Sequence, residues 1–175
     1  FLFPKQEIEC LHCSNENSFS VLVITETKGF VHRSAIKAGK ELIAAIGKKN
    51  NFNVYHSADS NVINKDNLSN INTIIFLNTT SDILNITEQK TMEEFISKGR
   101  GFVGIHSAAD TEYKWSWYGE LVGAYFKSHP PGTSFATINT INTTHISTKH
   151  LESTWEIRDE WYNYYNINPN ITVLL

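Results

Sequence analysis

The chain alternates between strand-like and helix-like segments, and this alternation restricts its possible folds more than any other feature. Short β-branched runs typical of buried strands are separated by amphipathic segments with helical spacing. Parallel strands need a crossover between them, and a helix usually supplies it, so the pattern predicts an α/β fold with a parallel sheet and helices on both faces. The four predicted strands are Phe19–Glu26, Phe52–Ser57, Ile71–Leu77 and Gly101–His106.

Helices are predicted between these strands and after the last one. Asp110 is a candidate N-cap for the final helix, because its carboxylate can accept hydrogen bonds from the first free amides. The predicted helices are 32–49, 64–70, 87–98 and 111–122. Beyond Val122 the rhythm changes, and strands are predicted at 134–141 and 171–175, on either side of an aromatic-rich segment at 155–165. Residues 1–17 have no clear period, and we interpret them as a leader or arm outside the core of a domain that covers 18–175.

Composition excludes several classes of protein. The 175 residues carry a net charge of −3 without a basic cluster, which argues against a nucleic-acid partner. No apolar run approaches the roughly 20 residues of a membrane-spanning helix. The two cysteines, in Cys10-Leu11-His12-Cys13, lack the second pair that a zinc ribbon needs. The glycine motifs of dinucleotide-binding and P-loop proteins are also absent from the sequence.

The two ends of the chain suggest a fragment. It begins at Phe1 without a methionine, and it stops within the strand-like run Thr172–Leu175, so we expect further chain at least beyond the C-terminus. Residues 1–3 could be the remainder of an export signal, but a charged region and a small-residue cleavage site are missing. Localisation therefore stays open, with a bacterial periplasmic or secreted protein slightly favoured over a cytoplasmic one.

The strongest chemical feature is the segment Gly104-Ile105-His106-Ser107-Ala108, between a predicted strand and a predicted helix. A tight strand-to-helix turn of this kind can expose one side chain above the sheet, as in a nucleophile elbow. An imidazole in that position suits a general base, a proton shuttle or a metal ligand better than a nucleophile. The alternative is that His106 only caps the helix.

A second histidine, His32 in Gly29-Phe30-Val31-His32-Arg33-Ser34, follows the first predicted strand. Carboxyl ends of parallel strands lie at one edge of a sheet, so His32 could face His106 across a cleft. We predict that one of the adjacent acids Asp159 and Glu160 joins them. Two imidazoles and a carboxylate can divide acid and base duties, or can bind a divalent metal such as zinc. A solvated turn is the alternative for the two acids.

Candidate substrate-binding residues are aromatic side chains close to these groups in sequence. A sugar ring can stack its C–H face on an aromatic ring while its hydroxyl groups form hydrogen bonds with nearby polar groups. A further histidine precedes two prolines that restrict its backbone. Ordinary core packing is the alternative for the aromatic residues. The candidates are Trp115, Tyr118, His129, Trp161 and Tyr162.

Four segments, in the same order, resemble the ThuA-like domain of the trehalose-utilisation family. They are KGFVHRS, GFVGIHSAADT, WYGELVGAYFKSHP and WEIRDEWYNY, and the resemblance covers roughly 18–175. It implies a flavodoxin-like fold, akin to the class I glutamine amidotransferase domain and here C-terminally truncated. It also implies a role in carbohydrate metabolism, linked to trehalose and 3-keto-sugar breakdown. The amidotransferase nucleophile is a cysteine at the position of His106, so glutamine amidotransfer is disfavoured.

The recurring polar positions of the family correspond to residues already singled out. They are His32, His106, His129, Asp159, Glu160 and Tyr162. Two departures matter. Family members usually have Asp-His-Pro near Thr144-His145-Ile146, which leaves a role for His145 in doubt. The final strands and helix of the family, with their own polar motif, are missing from this sequence, so any site that they complete would be incomplete here.

Three hypotheses about function follow. The first is an enzyme, a hydrolase or lyase, that acts on a disaccharide or 3-keto-sugar with His32 and His106 as acid and base or as metal ligands. The second is a non-catalytic carbohydrate-binding or accessory domain. The third is a structural or interaction module that keeps the amidotransferase-like fold without its chemistry. The partner expected in the first two cases is a small carbohydrate, and the oligomeric state is left open.

Overall fold

A computed structural model of the chain describes residues 8–14 and 18–175. Its main feature is a five-stranded sheet with the strand order β1-β3-β2-β4-β5. Strands β2 and β3, β2 and β4, and β4 and β5 pair in parallel. The strands are β1 (Glu9–His12), β2 (Ser20–Ile24), β3 (Asn53–Ser57), β4 (Thr73–Leu77) and β5 (Gly101–Ile105). The four predicted strands and their parallel arrangement are therefore confirmed.

Strand β1 was not predicted. It lies within the segment that we interpreted as an arm outside the core, and it pairs antiparallel with β3 at the edge of the sheet. Ser14 extends this attachment, since its backbone N–H donates to Asn53 Oδ1 at 2.8 Å. A disulfide joins Cys10 to Cys13. Because β1 is short and half of it is exposed, its sequence shows no period that would have indicated a strand.

The described part of the chain contains the α-helices α1 (Arg33–Asn50), α2 (Lys65–Leu68), α3 (Ile86–Ser97) and α4 (Ser116–Val122). The first packs on one face, where Ile43 joins a buried cluster with Val21, Val23, Val54, Ile75 and Leu77. Tyr118 of α4 packs on the opposite face against Phe76 and Phe102, with ring centroids 5.9 and 6.0 Å away. Helices on both faces are therefore confirmed.

The predicted helix at 111–122 is wrong in its first half. Residues Ala108–Asp110 form a 3₁₀ turn, and α4 begins only at Ser116. Glu112 has a φ of 56°, which an α-helix does not allow. The Glu112 side chain is buried and accepts a hydrogen bond from the backbone N–H of Leu84 at 2.7 Å. This contact holds the backbone of Glu112 in its non-helical conformation. Asp110 does not cap α4; its carboxylate accepts a hydrogen bond from the Tyr113 hydroxyl.

The chain divides into two compact units with the boundary between Tyr118 and Gly119. The assignment of 18–175 to a single domain stays a prediction. The second unit contains two antiparallel ribbons. The predicted strand at 171–175 is not formed. The ribbons consist of β6 (Tyr125–Ser128) with β9 (Asn163–Tyr165), and β7 (Ser134–Asn139) with β8 (Thr154–Asp159). Within the described residues, we find no helix with the length and apolarity needed to span a bilayer.

Candidate functional site

The two histidines in the first unit lie at the carboxyl edge of the parallel sheet. His106 directly follows β5, and His32 directly precedes α1 in the connection from β2. Both are half-buried. Strands β2 and β5 are separated in the sheet only by β4. Parallel pairing thus brings together two residues that are 74 positions apart in sequence.

The two imidazoles are in direct contact. His106 Nε2 lies 3.2 Å from His32 Nε2, and the rings are nearly perpendicular, at 86°. A hydrogen bond between these atoms requires one Nε2 to carry a hydrogen and the other to accept it. The pair can therefore supply a proton donor and a proton acceptor side by side. The Phe30 ring meets His32 edge-on, with centroids 4.8 Å apart.

The turn after β5 resembles the predicted elbow but differs from it in one respect. The residue in the left-handed region is Ser107, with a φ of 60°, rather than His106. The Ser107 backbone carbonyl accepts hydrogen bonds from Asp110 N and Thr111 Oγ1. A Cβ atom on Gly104 would lie 3.0 Å from that of Ala108. Gly104 and Ala108 therefore approach closely in this turn, and a side chain on Gly104 would crowd it.

The same two nitrogens suit a divalent metal ion. Zinc binds imidazole nitrogen at about 2.0–2.1 Å, and a tetrahedral angle then places two such nitrogens about 3.3 Å apart. The 3.2 Å between His32 Nε2 and His106 Nε2 fits this spacing. Imidazole is also a preferred ligand for zinc, copper, iron and nickel. These two residues would hold the ion through their Nε2 atoms.

Three other predicted site residues lie together in the second unit. His129 Nε2 is 4.0 Å from Glu160 Oε2. The His129 ring stacks on the Tyr162 ring, with an interplanar angle of 15° and ring centroids 5.8 Å apart. The Tyr162 ring also contacts the Phe126 ring, with centroids 4.2 Å apart. Sequence reasoning singled out these residues except Phe126. The group combines an imidazole, a carboxylate and a phenol, which are hydrogen-bonding groups that suit sugar hydroxyls.

Asp159 and Trp161, beside Glu160, have structural contacts of their own. Asp159 ends β8, and its Oδ1 accepts the backbone N–H of Glu160 at 2.8 Å. Trp161 Nε1 donates to the backbone carbonyl of Ser134 at 2.7 Å. The Trp161 bond attaches the segment to β7 of its own ribbon, and the Asp159 bond is local to the end of β8. Glu160 therefore fits a functional role better than Asp159.

The aromatic residues after the elbow differ in their exposure. Tyr118 is fully buried, and its hydroxyl donates to the backbone carbonyl of Ala108 at 2.7 Å, so its ring belongs to the core and has no surface for a sugar. Trp115 and Trp117 are half-buried and stack on each other, with ring centroids 4.8 Å apart and an interplanar angle of 23°. Trp115 Nε1 also donates to Glu93 Oε1 at 3.1 Å. Of the two candidate substrate-binding residues in the first unit, Trp115 reaches the surface and Tyr118 does not.

Two polar groups of the first unit were missed by sequence reasoning. The first is His56, whose ring lies 2.8 Å from Thr25 Oγ1 and 3.2 Å from Glu9 Oε2. Burial lowers the pKa of His56 below its usual value, so its neutral form dominates at neutral pH. The second is Thr79-Thr80-Ser81 after β4. The sequence indicated this segment only through its place after a predicted strand, at the carboxyl edge of the sheet.

Comparison with known proteins gives the family. The sequence profile of the ThuA family, described as trehalose utilisation, matches residues 20–175. The chain belongs to the ThuA family, and membership implies a role in carbohydrate metabolism. The resemblance noted in the sequence is thus confirmed. Among curated proteins, none matches the chain significantly.

Two crystal structures of ThuA-like proteins are similar to this chain. The first, from Bacteroides uniformis, has a TM-score of 0.74 at 23% identity, over 93% of this chain and 69% of that protein. The second, from Parabacteroides merdae, has a TM-score of 0.67 at 15% identity, over 83% of this chain and 63% of that protein. At such identities the likeness establishes the fold. This chain spans about two thirds of the length of these proteins.

Proposed function

We propose that this protein is an enzyme, a hydrolase or lyase, that acts on a disaccharide or 3-keto-sugar in a histidine-lined cleft, with His32 and His106 as its acid and base. The single observation that carries this proposal is the 3.2 Å between the two Nε2 atoms at the carboxyl edge of the parallel sheet. Ligands of open α/β sheets bind at this edge. Membership of a trehalose-utilisation family supports a carbohydrate as the substrate.

A 3-keto-sugar suits this pair of groups chemically. The ketone at C3 makes the hydrogen on C2 acidic, and the imidazole whose Nε2 carries no hydrogen accepts that proton. The C2–H electron pair forms a C1=C2 double bond as the C1–O bond breaks. The other imidazole donates its proton to the leaving oxygen. Proton transfer of this kind by a well-placed side chain contributes about 10² to 10⁴ in rate.

The same residues can instead hold a divalent metal ion. When bound, the ion would polarise a carbonyl oxygen or lower the pKa of a water molecule. The sequence also predicts a carboxylate in this role, and Glu160 is the preferred candidate over Asp159. The two histidines and the acid belong to different units, so this third group stays a prediction.

The first test replaces single histidines. His106→Ala and His32→Ala should each abolish turnover of a 3-keto-trehalose or 3-keto-glucoside substrate, because each removes one proton-transfer group. His145→Ala is the matched control, since His145 is exposed and its ring, among the residues that the structure describes, accepts a hydrogen bond from Ser147 N of its own loop. Melting temperatures should change little, because both target side chains are half-buried.

Metal binding is tested separately with cobalt, whose visible spectrum reports its coordination. One ion per chain is expected, lost in both histidine variants and retained in H145A. Glu160→Gln against Asp159→Asn tests the carboxylate, and only the former should weaken binding. Full turnover by a folded H106A variant would contradict the role of His106 as acid or base, whatever the cobalt result. Absence of turnover in the wild-type protein would contradict the enzymatic proposal itself.

A carbohydrate-binding domain without catalysis is the second candidate. The stacked pair Trp115 and Trp117 favours it, because a partly exposed indole face suits a sugar ring. In that case trehalose or a keto-glycoside binds without turnover, and Trp117→Ala weakens binding measured by calorimetry. Turnover that survives in W117A and disappears in H106A would support the enzyme instead.

A further inference from the structure

Segment 79–81, which we call the threonine clamp, lies between the two loops that carry the histidines. The clamp follows β4, and β4 lies between β2 and β5 in the sheet. Thr79 and Thr80 are completely buried. Isolated bridges connect the clamp to both sides, from Thr80 to Thr27 and from Ser81 to Thr111. The clamp is therefore hydrogen-bonded to the loop after β2 and to the loop after β5.

Thr80 attaches the loop that carries His32. Its carbonyl accepts the backbone N–H of Lys28 at 3.0 Å. Its side-chain hydroxyl accepts the backbone N–H of Gly29 at 3.1 Å and donates to the backbone carbonyl of Phe30 at 3.1 Å. One buried hydroxyl thus satisfies a donor and an acceptor within three residues of His32. A methyl group in its place could satisfy neither.

Thr79 and Ser81 attach the loop that follows His106. Ser81 N donates to the Asp110 carbonyl at 2.7 Å, and the Ser81 carbonyl accepts the backbone N–H of Glu112 at 3.3 Å. Thr79 Oγ1 lies 2.9 Å from Thr111 Oγ1, which in turn donates to the Ser107 carbonyl at 3.2 Å. This chain of hydroxyl groups ends at the residue next to His106.

We infer that Thr80 is a positioning residue that sets the distance between His32 and His106, and this inference rests on the proposed function of the histidine pair. Without the Thr80 hydroxyl, Gly29 N–H and the Phe30 carbonyl lose their shared partner. The loop then has no side-chain bond to the clamp that we can identify among the described residues. His32 would move relative to His106, which stays attached through Thr79 and Ser81.

The test uses Thr80→Val, which keeps the shape of the side chain and removes only the hydroxyl. In the wild-type protein, labelled histidine rings at a centroid distance of 4.8 Å should give a mutual NOE in NMR spectra. T80V should lose this NOE and bind cobalt about 10-fold to 100-fold more weakly, as outer-shell substitutions do. Thr80→Ser should restore both, because serine retains the hydroxyl.

Thr91→Val is the matched control. Thr91 is also buried, and its hydroxyl donates to the Thr87 carbonyl at 2.9 Å within α3, without contact with either histidine loop. T91V should keep the NOE and the cobalt affinity. If T80V fails to fold, Gly29→Ala provides a second disturbance of the same contact. Its new Cβ would lie 2.7 Å from Ser81 Oγ and 3.2 Å from Thr80 Oγ1, so the same loss is expected.

The two proposals fail in different ways. A folded T80V protein that retains the NOE and wild-type cobalt affinity would overturn the role of Thr80. Absence of cobalt binding and turnover in the wild-type protein would count against the proposed function, while the NOE would still decide the role of Thr80. A wild-type protein without the NOE would overturn both.

Discussion

Glu112 shows how one buried side chain can determine the local backbone. Its carboxylate accepts hydrogen bonds from Leu84 N at 2.7 Å and from Gln89 Nε2 at 2.8 Å. Burial raises the pKa of Glu112 above its usual value of 4.5, and the negative charge of Asp82 acts in the same direction. The hydrogen bonds from Leu84 and Gln89 oppose this shift without cancelling it. The residue therefore stabilises its loop best when it is protonated.

This shift predicts a dependence of stability on pH. Between the usual pKa and the raised one, the folded state binds more protons than the unfolded state, so the free energy of unfolding falls as pH rises. Glu112→Gln removes this titration while keeping an acceptor for Leu84 N. We expect the unfolding free energy of E112Q, measured by urea denaturation from about pH 4 to about pH 8, to fall less steeply than that of the wild type.

Glu41→Gln is the control for that measurement, because Glu41 is exposed on α1. Its curve should run parallel to the wild-type curve. A parallel curve for E112Q as well would show that burial of Glu112 does not control its protonation.

At the scale of the elements, α1 approaches the sheet closely at two glycines. A Cβ atom on Gly47 would lie 2.5 Å from Val54 Cγ2 and 2.9 Å from the Phe52 carbonyl oxygen. A Cβ atom on Gly39 would lie 2.8 and 2.9 Å from the two terminal methyl groups of Leu77. Methyl groups at the end of a side chain can rotate away, whereas a backbone carbonyl in the turn before β3 cannot. The two glycines therefore differ in how strictly they are required.

This difference predicts that alanine destabilises the protein more at Gly47 than at Gly39. Inserting a methyl group into a packed site costs about 1–3 kcal/mol, while alanine favours a helix interior by about 1 kcal/mol over glycine. Gly47→Ala should therefore lower the free energy of unfolding by up to about 2 kcal/mol in chemical denaturation. Gly39→Ala should cause a smaller loss, since helix propensity offsets its milder clash. Equal losses in both variants would contradict this account of how α1 packs.

At the scale of the whole molecule, burial is unevenly distributed between the two units. In β2 every residue is buried, and Leu22, Val23 and Ile24 have no exposed surface. In the β7–β8 ribbon, Phe135 is 72% exposed and Ile157 is 42% exposed. A two-stranded ribbon has limited stability of its own, whereas central strands of a covered sheet open only with the core.

We therefore expect hydrogen exchange to separate the two units. Amide groups of β2 and β4 should exchange more slowly than those of β7 and β8 by about two orders of magnitude, which corresponds to about 2.7 kcal/mol in local opening free energy. Exchange followed by mass spectrometry measures both regions in one sample. Equal protection in the two units would mean that the ribbons unfold only together with the sheet.

Local sequence determined the architecture of the first unit. The runs that became β2, β3 and β4 are apolar enough to be buried on both sides, and the run that became β5 forms a partly exposed edge strand. The intervening segments have helical spacing, so burial of apolar side chains required a parallel sheet with helices on both faces. The predicted parallel sheet also placed His32 and His106 at the same edge, because the carboxyl ends of parallel strands lie at one edge of a sheet. Periodicity in the sequence records which side chains avoid water, and this is sufficient to predict the elements.

Only tertiary structure decided how polar groups meet. Strand β1 forms because β3 offers backbone groups for pairing at the edge of the sheet. The sequence of β1 has no hydrophobic periodicity that would predict a strand. The early part of the predicted 111–122 helix is absent because Glu112 bonds to Leu84, 28 residues away. The 3.2 Å between the two imidazoles depends on loops attached through the Thr80 hydroxyl. Hydrogen bonds are short-range and directional, so their partners depend on the folded positions of distant segments rather than on the local pattern of the sequence.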